Sequence, residues 1–114
     1  MEKDAIRYQV RRGWEQTSAH YAIDRPQIFQ RFADRLVALL SWSPGQWVLD
    51  VGTGTGVVAL RAVERVGTSG HVVATDCARN MVGQARAAAR ETRLNASFAQ
   101  IDAEFLGLPD ESFD

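Results

Sequence analysis

The chain has 114 residues, 46% of them hydrophobic and 24% charged, with a formal net charge of -1. That is enough for one small domain with a packed core, and the near-neutral charge argues against a globally basic nucleic-acid binder while leaving a local basic patch open. Cys77 is the single cysteine, which excludes an intrachain disulfide and fits a reducing compartment.

Residues 1–22 form a polar, helix-compatible lead. Met1-Glu2-Lys3-Asp4 opens no signal-peptide apolar segment. No apolar run approaches the ~20 residues that span a bilayer, so a soluble cytoplasmic protein is expected. Ile6, Val10 and Trp14 recur at helical spacing and define one face, while Gly13 predicts a joint in the helix. Trp14 and Tyr21 either pack this lead onto the main domain or form part of a lid over a ligand. His20 reads as a surface histidine. Asp24-Arg25-Pro26 then opens a second helix, with proline suited to the first turn. Its stripe of Ile28, Phe29, Phe32, Ala33, Leu36, Val37, Leu39 and Leu40 is read as core. Ser41-Trp42-Ser43-Pro44-Gly45 ends that helix, and Trp42 and Trp47 are expected to shield the entrance of the strand that follows.

The next stretch organises the chain. Val48, Leu49 and Val51 give the short apolar run of a parallel strand covered on both faces. Asp50 interrupts it, where a buried acid is costly without a partner. Gly52, Gly54 and Gly56 follow two apart, in a turn where a ligand can approach the backbone closely. Residues 57–66 read as a helix whose free N–H groups face that turn. The spacing lacks the third glycine or alanine of a dinucleotide fingerprint, because Val57 stands there, and no lysine of a P-loop follows.

Gly67-Thr68-Ser69-Gly70 is a turn, and residues 71–76 form a second apolar strand ending in Asp76. His71 lies at the strand start, away from the expected site, and reads as structural. Residues 78–93 are a strong helix candidate, rich in alanine and arginine. Residues 96–102 form a third strand ending in Asp102. Asp50, Asp76 and Asp102 are each 26 residues apart, the spacing of consecutive strand–helix units. Right-handed crossovers place such strands parallel, with their carboxyl ends on one rim, outside which ligands of open α/β sheets bind. An acid at the end of the second strand, here Asp76, accepts hydrogen bonds from ribose hydroxyls in nucleotide-binding folds.

Asp50-Val51-Gly52-Thr53-Gly54-Thr55-Gly56 resembles the first motif of class I S-adenosylmethionine-dependent methyltransferases. Asp102-Ala103, and Leu108-Pro109 followed by Asp110-Glu111-Ser112-Phe113-Asp114, resemble segments of members acting on small molecules such as quinone precursors and sterols, the ubiquinone/menaquinone-biosynthesis-like type. The resemblance runs from about Trp14 to the end. It implies an α/β fold, a Rossmann-like three-layer sandwich with parallel strands, truncated after the third strand. Residues 1–40 are then an N-terminal helical cap and first core helix, and residues 41–114 the N-terminal half of the cofactor-binding domain. The family's sheet has seven strands with the first beside the fourth, so the first strand is expected to be an exposed edge open to self-association.

The implied function is methyl transfer from S-adenosyl-L-methionine to a small-molecule acceptor, with no catalytic residue, metal site or membrane contact assigned. The resemblance gives Asp76 the cofactor ribose and Asp102, with Ala103, the adenine amino group. Met81 packs on adenine or is simple core. Asp50 orients the glycine loop of Gly52, Thr53, Gly54 and Gly56 or meets the cofactor's amino group. Tyr21 in the lid and Cys77 beside Asp76 complete the cofactor-binding set, and the lid reading of the first helix is favoured.

Three other functions stay open. Arg79, Arg86, Arg90 and Arg93 can share one helix face, which would suit an RNA methyltransferase, although a solvated outer face explains them as well. A nicotinamide-dependent oxidoreductase fits Asp76 but not Val57 or Asp102-Ala103. A non-catalytic cofactor-binding protein fits the fold alone.

Overall fold

A computed structural model describes residues 1–24, 26–92 and 95–114. Two helices come first, α1 (Glu2–Asp24) and α2 (Pro26–Leu39). Then strands and helices alternate: β1 (Trp47–Val51), α3 (Val57–Val66), β2 (His71–Asp76), α4 (Arg79–Thr92) and β3 (Ala96–Gln100). The three strands form one parallel sheet in the order β1-β2-β3, the start of a Rossmann-like α/β fold. Arg25, in the expected opening of the second helix, and Arg93, at the end of the arginine stripe, lie outside the described residues.

The core sits on one face of the sheet. Ala59, Ala62, Val63 and Val66 of α3 pack against Val72 and Ala74 of β2, with Val48, Ala96, Phe98 and Trp42 around them. These strand residues alternate with Leu49, Val51, Val73, Ser97 and Ala99, which are half-buried or exposed, and with Thr75, which is buried. The expectation that β1 is covered on both faces therefore fails. As an edge strand with one packed face, β1 leaves Val51 44% exposed. Its free edge carries the end of the chain, where the Asp114 amide donates to the Trp47 carbonyl and the Trp47 amide to the Asp114 carboxylate, both at 2.8 Å.

The apolar stripe of α2 divides in the same way. Ala33 and Val37 are buried, whereas Ile28, Phe32, Leu36, Leu39 and Leu40 are exposed and Phe29 is half-buried. A stripe this wide needs neighbours on two sides, and α3 supplies one of them. Trp42 closes the helix end by donating from Nε1 to the Val37 carbonyl at 2.8 Å, satisfying one of the carbonyls a helix terminus leaves free. Trp47 is half exposed and rests at 5.0 Å on the ring of His71, so the two tryptophans do flank the strand entrance.

α1 is continuous through Gly13, against the expected joint. The glycine penalty of about 1 kcal/mol is too small to break a helix anchored along its length. Glu15 is the central anchor. Its carboxylate accepts the amides of Arg79 and of Asn80, the latter at 3.1 Å. An acid from α1 thus caps the N-terminus of α4, where free N–H groups and the helix dipole favour negative charge. Gln84 adds a bond from α4 to the Ser18 carbonyl at 2.8 Å. These contacts join elements more than 60 residues apart and position α1 over the carboxyl rim of the sheet.

Candidate functional site

The rim is built by register. Trp47 pairs with His71 and Val72 with Ala96, so each strand is offset by 24 residues from its neighbour. The three acids are spaced by 26, and each consequently lies two residues further along than the one before. Asp50 is level with Ala74, inside β1; Asp76 is level with Gln100, at the end of β2; Asp102 lies beyond β3. Only Asp76 ends its strand as expected, and the acids form a staircase.

The lowest step holds the loop from beneath. Asp50 accepts a hydrogen bond from the Thr53 hydroxyl at 2.7 Å, and the Thr53 amide donates to the Thr75 carbonyl at 2.8 Å. Burial pushes the Asp50 carboxyl above its ordinary range, with the Thr53 bond opposing. Above it, Gly52, Gly54 and Gly56 all have positive φ, at 73°, 58° and 88°. Gly56 has a second reason to be glycine, since a Cβ there would lie 3.0 Å from the Ala85 side chain of α4.

The middle step ties two loops together. One oxygen of Asp76 accepts the Gly54 amide and the other the Ala78 amide, each at 2.9 Å. Asp76 thereby fixes the crest of the glycine loop to the start of α4. The highest step is a turn of its own, in which Asp102 accepts the Glu104 amide at 2.9 Å on its side chain and the Phe105 amide at 2.9 Å on its carbonyl.

Between this rim and α1 lies a cavity of about 750 Å³. Its floor is Val51, Gly52, Gly54, Asp76, Cys77 and Met81, one side is Ile101, Asp102 and Ala103, and its roof is the face of α1 bearing Ile6, Val10, Trp14 and Tyr21. Of the residues singled out in the sequence, Tyr21, Gly52, Gly54, Asp76, Cys77, Met81, Asp102 and Ala103 line this one cavity. Asp50, Thr53 and Gly56 do not line the cavity and support the loop from behind. Tyr21 stands over Gly54, stacks on Phe29 with centroids 4.6 Å apart, and takes the edge of Trp14 at 6.1 Å. Burial, reinforced by Asp76, pushes the Tyr21 hydroxyl and the Cys77 thiol upward, so both stay protonated and uncharged at neutral pH.

His20 is exposed and does not line the cavity. His71 is bonded to Asn95 at 2.8 Å and Ser97 at 2.7 Å at the far end of the sheet, in the structural role expected. Arg79, Arg86 and Arg90 are exposed on α4, and Arg86 donates to the Phe98 carbonyl at 2.9 Å. Sequence reasoning missed Arg7 and Arg11, which also line the cavity. The only signal was that each follows an apolar residue of the α1 face by one position.

The cavity has the form needed for a nucleotide-like ligand: backbone glycines beneath, an acid at the second strand and an apolar roof. A Cβ at Gly52 would meet nothing within 4 Å, which leaves an open cradle in the floor. Comparison with known proteins identifies the scaffold, as residues 48–114 match the family described as "Methyltransferase domain". The chain belongs to this methyltransferase-domain family.

The chain is 36% identical over 115 residues to aklanonic acid methyltransferase DauC of Streptomyces sp. (strain C5), a match covering 100% of the chain and 52% of DauC. It is 42% identical over 80 residues to the ubiquinone/menaquinone biosynthesis C-methyltransferase UbiE of Stenotrophomonas maltophilia (strain R551-3), covering 68% of the chain and 32% of UbiE. Among solved structures, an SAM-dependent methyltransferase from Aquifex aeolicus superposes with a TM-score of 0.72 at 27% identity, covering 85% of this chain and 53% of that one. This methyltransferase-domain chain therefore spans about half the length of one curated relative and about a third of the other. Among its described residues no helix is long and apolar enough to cross a membrane.

Proposed function

We propose that the cavity binds S-adenosyl-L-methionine and that the intact protein is a methyltransferase acting on a small-molecule acceptor. The observation that carries this reading is the meeting of Asp76 and the glycine loop in one cavity wall. Asp76 spends one lone pair of each oxygen on the Gly54 and Ala78 amides. Its remaining acceptor capacity faces the cavity and suits a pair of ribose hydroxyls. The open floor at Gly52 and Gly54 admits the chain of the cofactor close to the backbone. Asp102 with Ala103 would receive the adenine amino group, and the buried Met81 offers the ring a polarisable apolar surface. Within residues 1–40 it is α1 that supplies the roof, and residues 41–114 supply the floor and the side wall.

Bound S-adenosyl-L-methionine supplies an electrophilic methyl group on a positively charged sulfur. The task left to the protein is to align donor and acceptor and keep water out. Trp14 and Tyr21, edge to face and with Phe29 stacked behind Tyr21, give the roof an apolar underside for that purpose. The neutral Tyr21 hydroxyl and Cys77 thiol add no charge beside the cationic donor. The named activities of DauC and UbiE, both methyltransferases of small organic molecules, support an acceptor of that class.

The test is calorimetric titration of S-adenosylhomocysteine into the wild type and Asp76→Ala. Saturable binding, weakened by more than about tenfold in the variant, is expected from the loss of charge-assisted hydrogen bonds. A folded wild type with no binding, or equal affinity in Asp76→Ala, overturns the reading.

A further inference from the structure

The third-strand turn that carries Asp102 is joined to the N-terminal helix by a single side chain. Arg7 pairs with the Glu104 carboxylate, lies 3.9 Å from Asp102 through Nε, and places its guanidinium 4.8 Å from the centre of the Phe105 ring. A bond at 3.1 Å to Asp4, one turn earlier on α1, fixes the side chain from its own helix. Arg7 is therefore held by its helix neighbour while it grips three of the four residues from Asp102 to Phe105. Its Nε is shut off from solvent yet has no hydrogen-bond partner. The Asp102 carboxylate stands 3.9 Å from it, and a movement of about 1 Å would bring the two within hydrogen-bond range.

Arg7 also lines the cavity, at the side where Asp102 and Ala103 form the wall. The far end of α1 is secured elsewhere, by Glu15 on α4 and Tyr21 on Phe29. Among the described residues, the hydrogen bonds and ion pairs between the first two turns of α1 and the Asp102 turn all come from Arg7. Without it, no polar contact ties the N-terminal half of the roof to the wall beneath.

Resting on the cofactor reading above, we propose that Arg7 is a positioning residue for the cofactor. It holds the Asp102–Phe105 turn against α1, so that the Asp102 carboxylate is fixed and the mouth of the cavity stays closed over bound ligand. The chemistry suits the task. A planar guanidinium serves a carboxylate and an aromatic face at once, which an ammonium does less well. The individual links are partly exposed and weak, so they open and close as ligand enters and leaves, and their effect falls on release.

The test uses the intact protein and the release rate of S-adenosylhomocysteine, followed by stopped-flow displacement, in the wild type, Arg7→Met, Arg7→Lys, Glu104→Gln and the double variant Arg7→Met/Glu104→Gln. Arg7→Met should speed release about fivefold, the loss expected for one partly exposed ion pair with its cation–π contact. The dissociation constant of S-adenosylhomocysteine, read by calorimetry, should rise in step while the melting temperature of the ligand-free protein stays at the wild-type value. Arg7→Lys should fall between the two. Glu104→Gln should speed release in the same direction, and the double variant should go no further than Arg7→Met alone.

Wild-type release from Arg7→Met overturns the proposal. So does fast release in Arg7→Met with no effect of Glu104→Gln, since Arg7 would then act on the ligand directly. A wild type that binds no S-adenosylhomocysteine overturns the cofactor reading itself, a different result from either.

Discussion

β1 and β2 are nearly interchangeable as sequences, each a short apolar strand carrying an aspartate near its end and followed by a helix, yet the structure treats them differently. Val72, Ala74 and Thr75 of β2 are wholly buried, while Trp47 and Val51 at the two ends of β1 are almost half exposed. β2 has a strand on each side. β1 has one, and among the described residues the hydrogen bonds at its second edge are those of Asp114 with Trp47. Burial is thus a property of the neighbours an element receives and not of its own hydrophobicity. Their acids differ likewise: Asp50 is sunk beneath the glycine loop on one hydroxyl, whereas Asp76 stands at the rim on two backbone amides.

The largest effect that can test this contrast lies where β2 begins. A Cβ on Gly70 would stand 2.5 Å from the Val66 Cβ and 2.6 Å from the Gln46 carbonyl oxygen. Gly70→Ala should therefore cost about 3 kcal/mol in urea unfolding, the upper range for overpacking. A cost below about 1 kcal/mol would show that the junction between α3 and β2 yields easily. Next comes the direct pair. Val72→Ala should lose about 2 kcal/mol and Val51→Ala less than about 0.5 kcal/mol by the same measurement, because only the first leaves a cavity. Equal losses would break the comparison.

A smaller effect separates the acids by pH. The Asp50 carboxyl is raised by burial, so the folded state holds its proton more tightly than the unfolded chain does. The stability from that proton is full below the ordinary aspartate value of about 3.9 and declines as pH rises through the raised folded value. Asp50→Asn keeps an acceptor for Thr53 and removes the titration. Melting temperatures from pH 3 upward should fall more in the wild type than in the variant, and parallel curves would count against a strained buried acid. The smallest effect serves as a control outside the sheet. Gly13 lies within α1 with open space beside it, and Gly13→Ala should raise stability by about 0.5–1 kcal/mol.

Much of this protein is written locally. The bounds of α3 and β2 follow from their apolar runs and flanking glycines, because turn chemistry and periodicity are short-range. The glycine loop is equally legible, since positive φ at Gly52, Gly54 and Gly56 needs that residue type. The constant 26-residue spacing shows that the acids gather at one end of a parallel sheet.

What the spacing does not carry is register. The 24-residue offset that turns three strand-end acids into a staircase appears only when the strands pair. Nor does the α2 stripe tell which of its residues is covered, since that depends on where α3 packs. The Glu15 cap on α4 and the Arg7 grip on Asp102, Glu104 and Phe105 were beyond the sequence for the same reason. Each joins a charge on the first helix to a partner 60 or more residues away. The sequence alone determined the elements, the glycine loop and the chemistry of the rim. The tertiary structure decided which face each element buries and which charges meet, because both depend on distances between segments that no local pattern encodes.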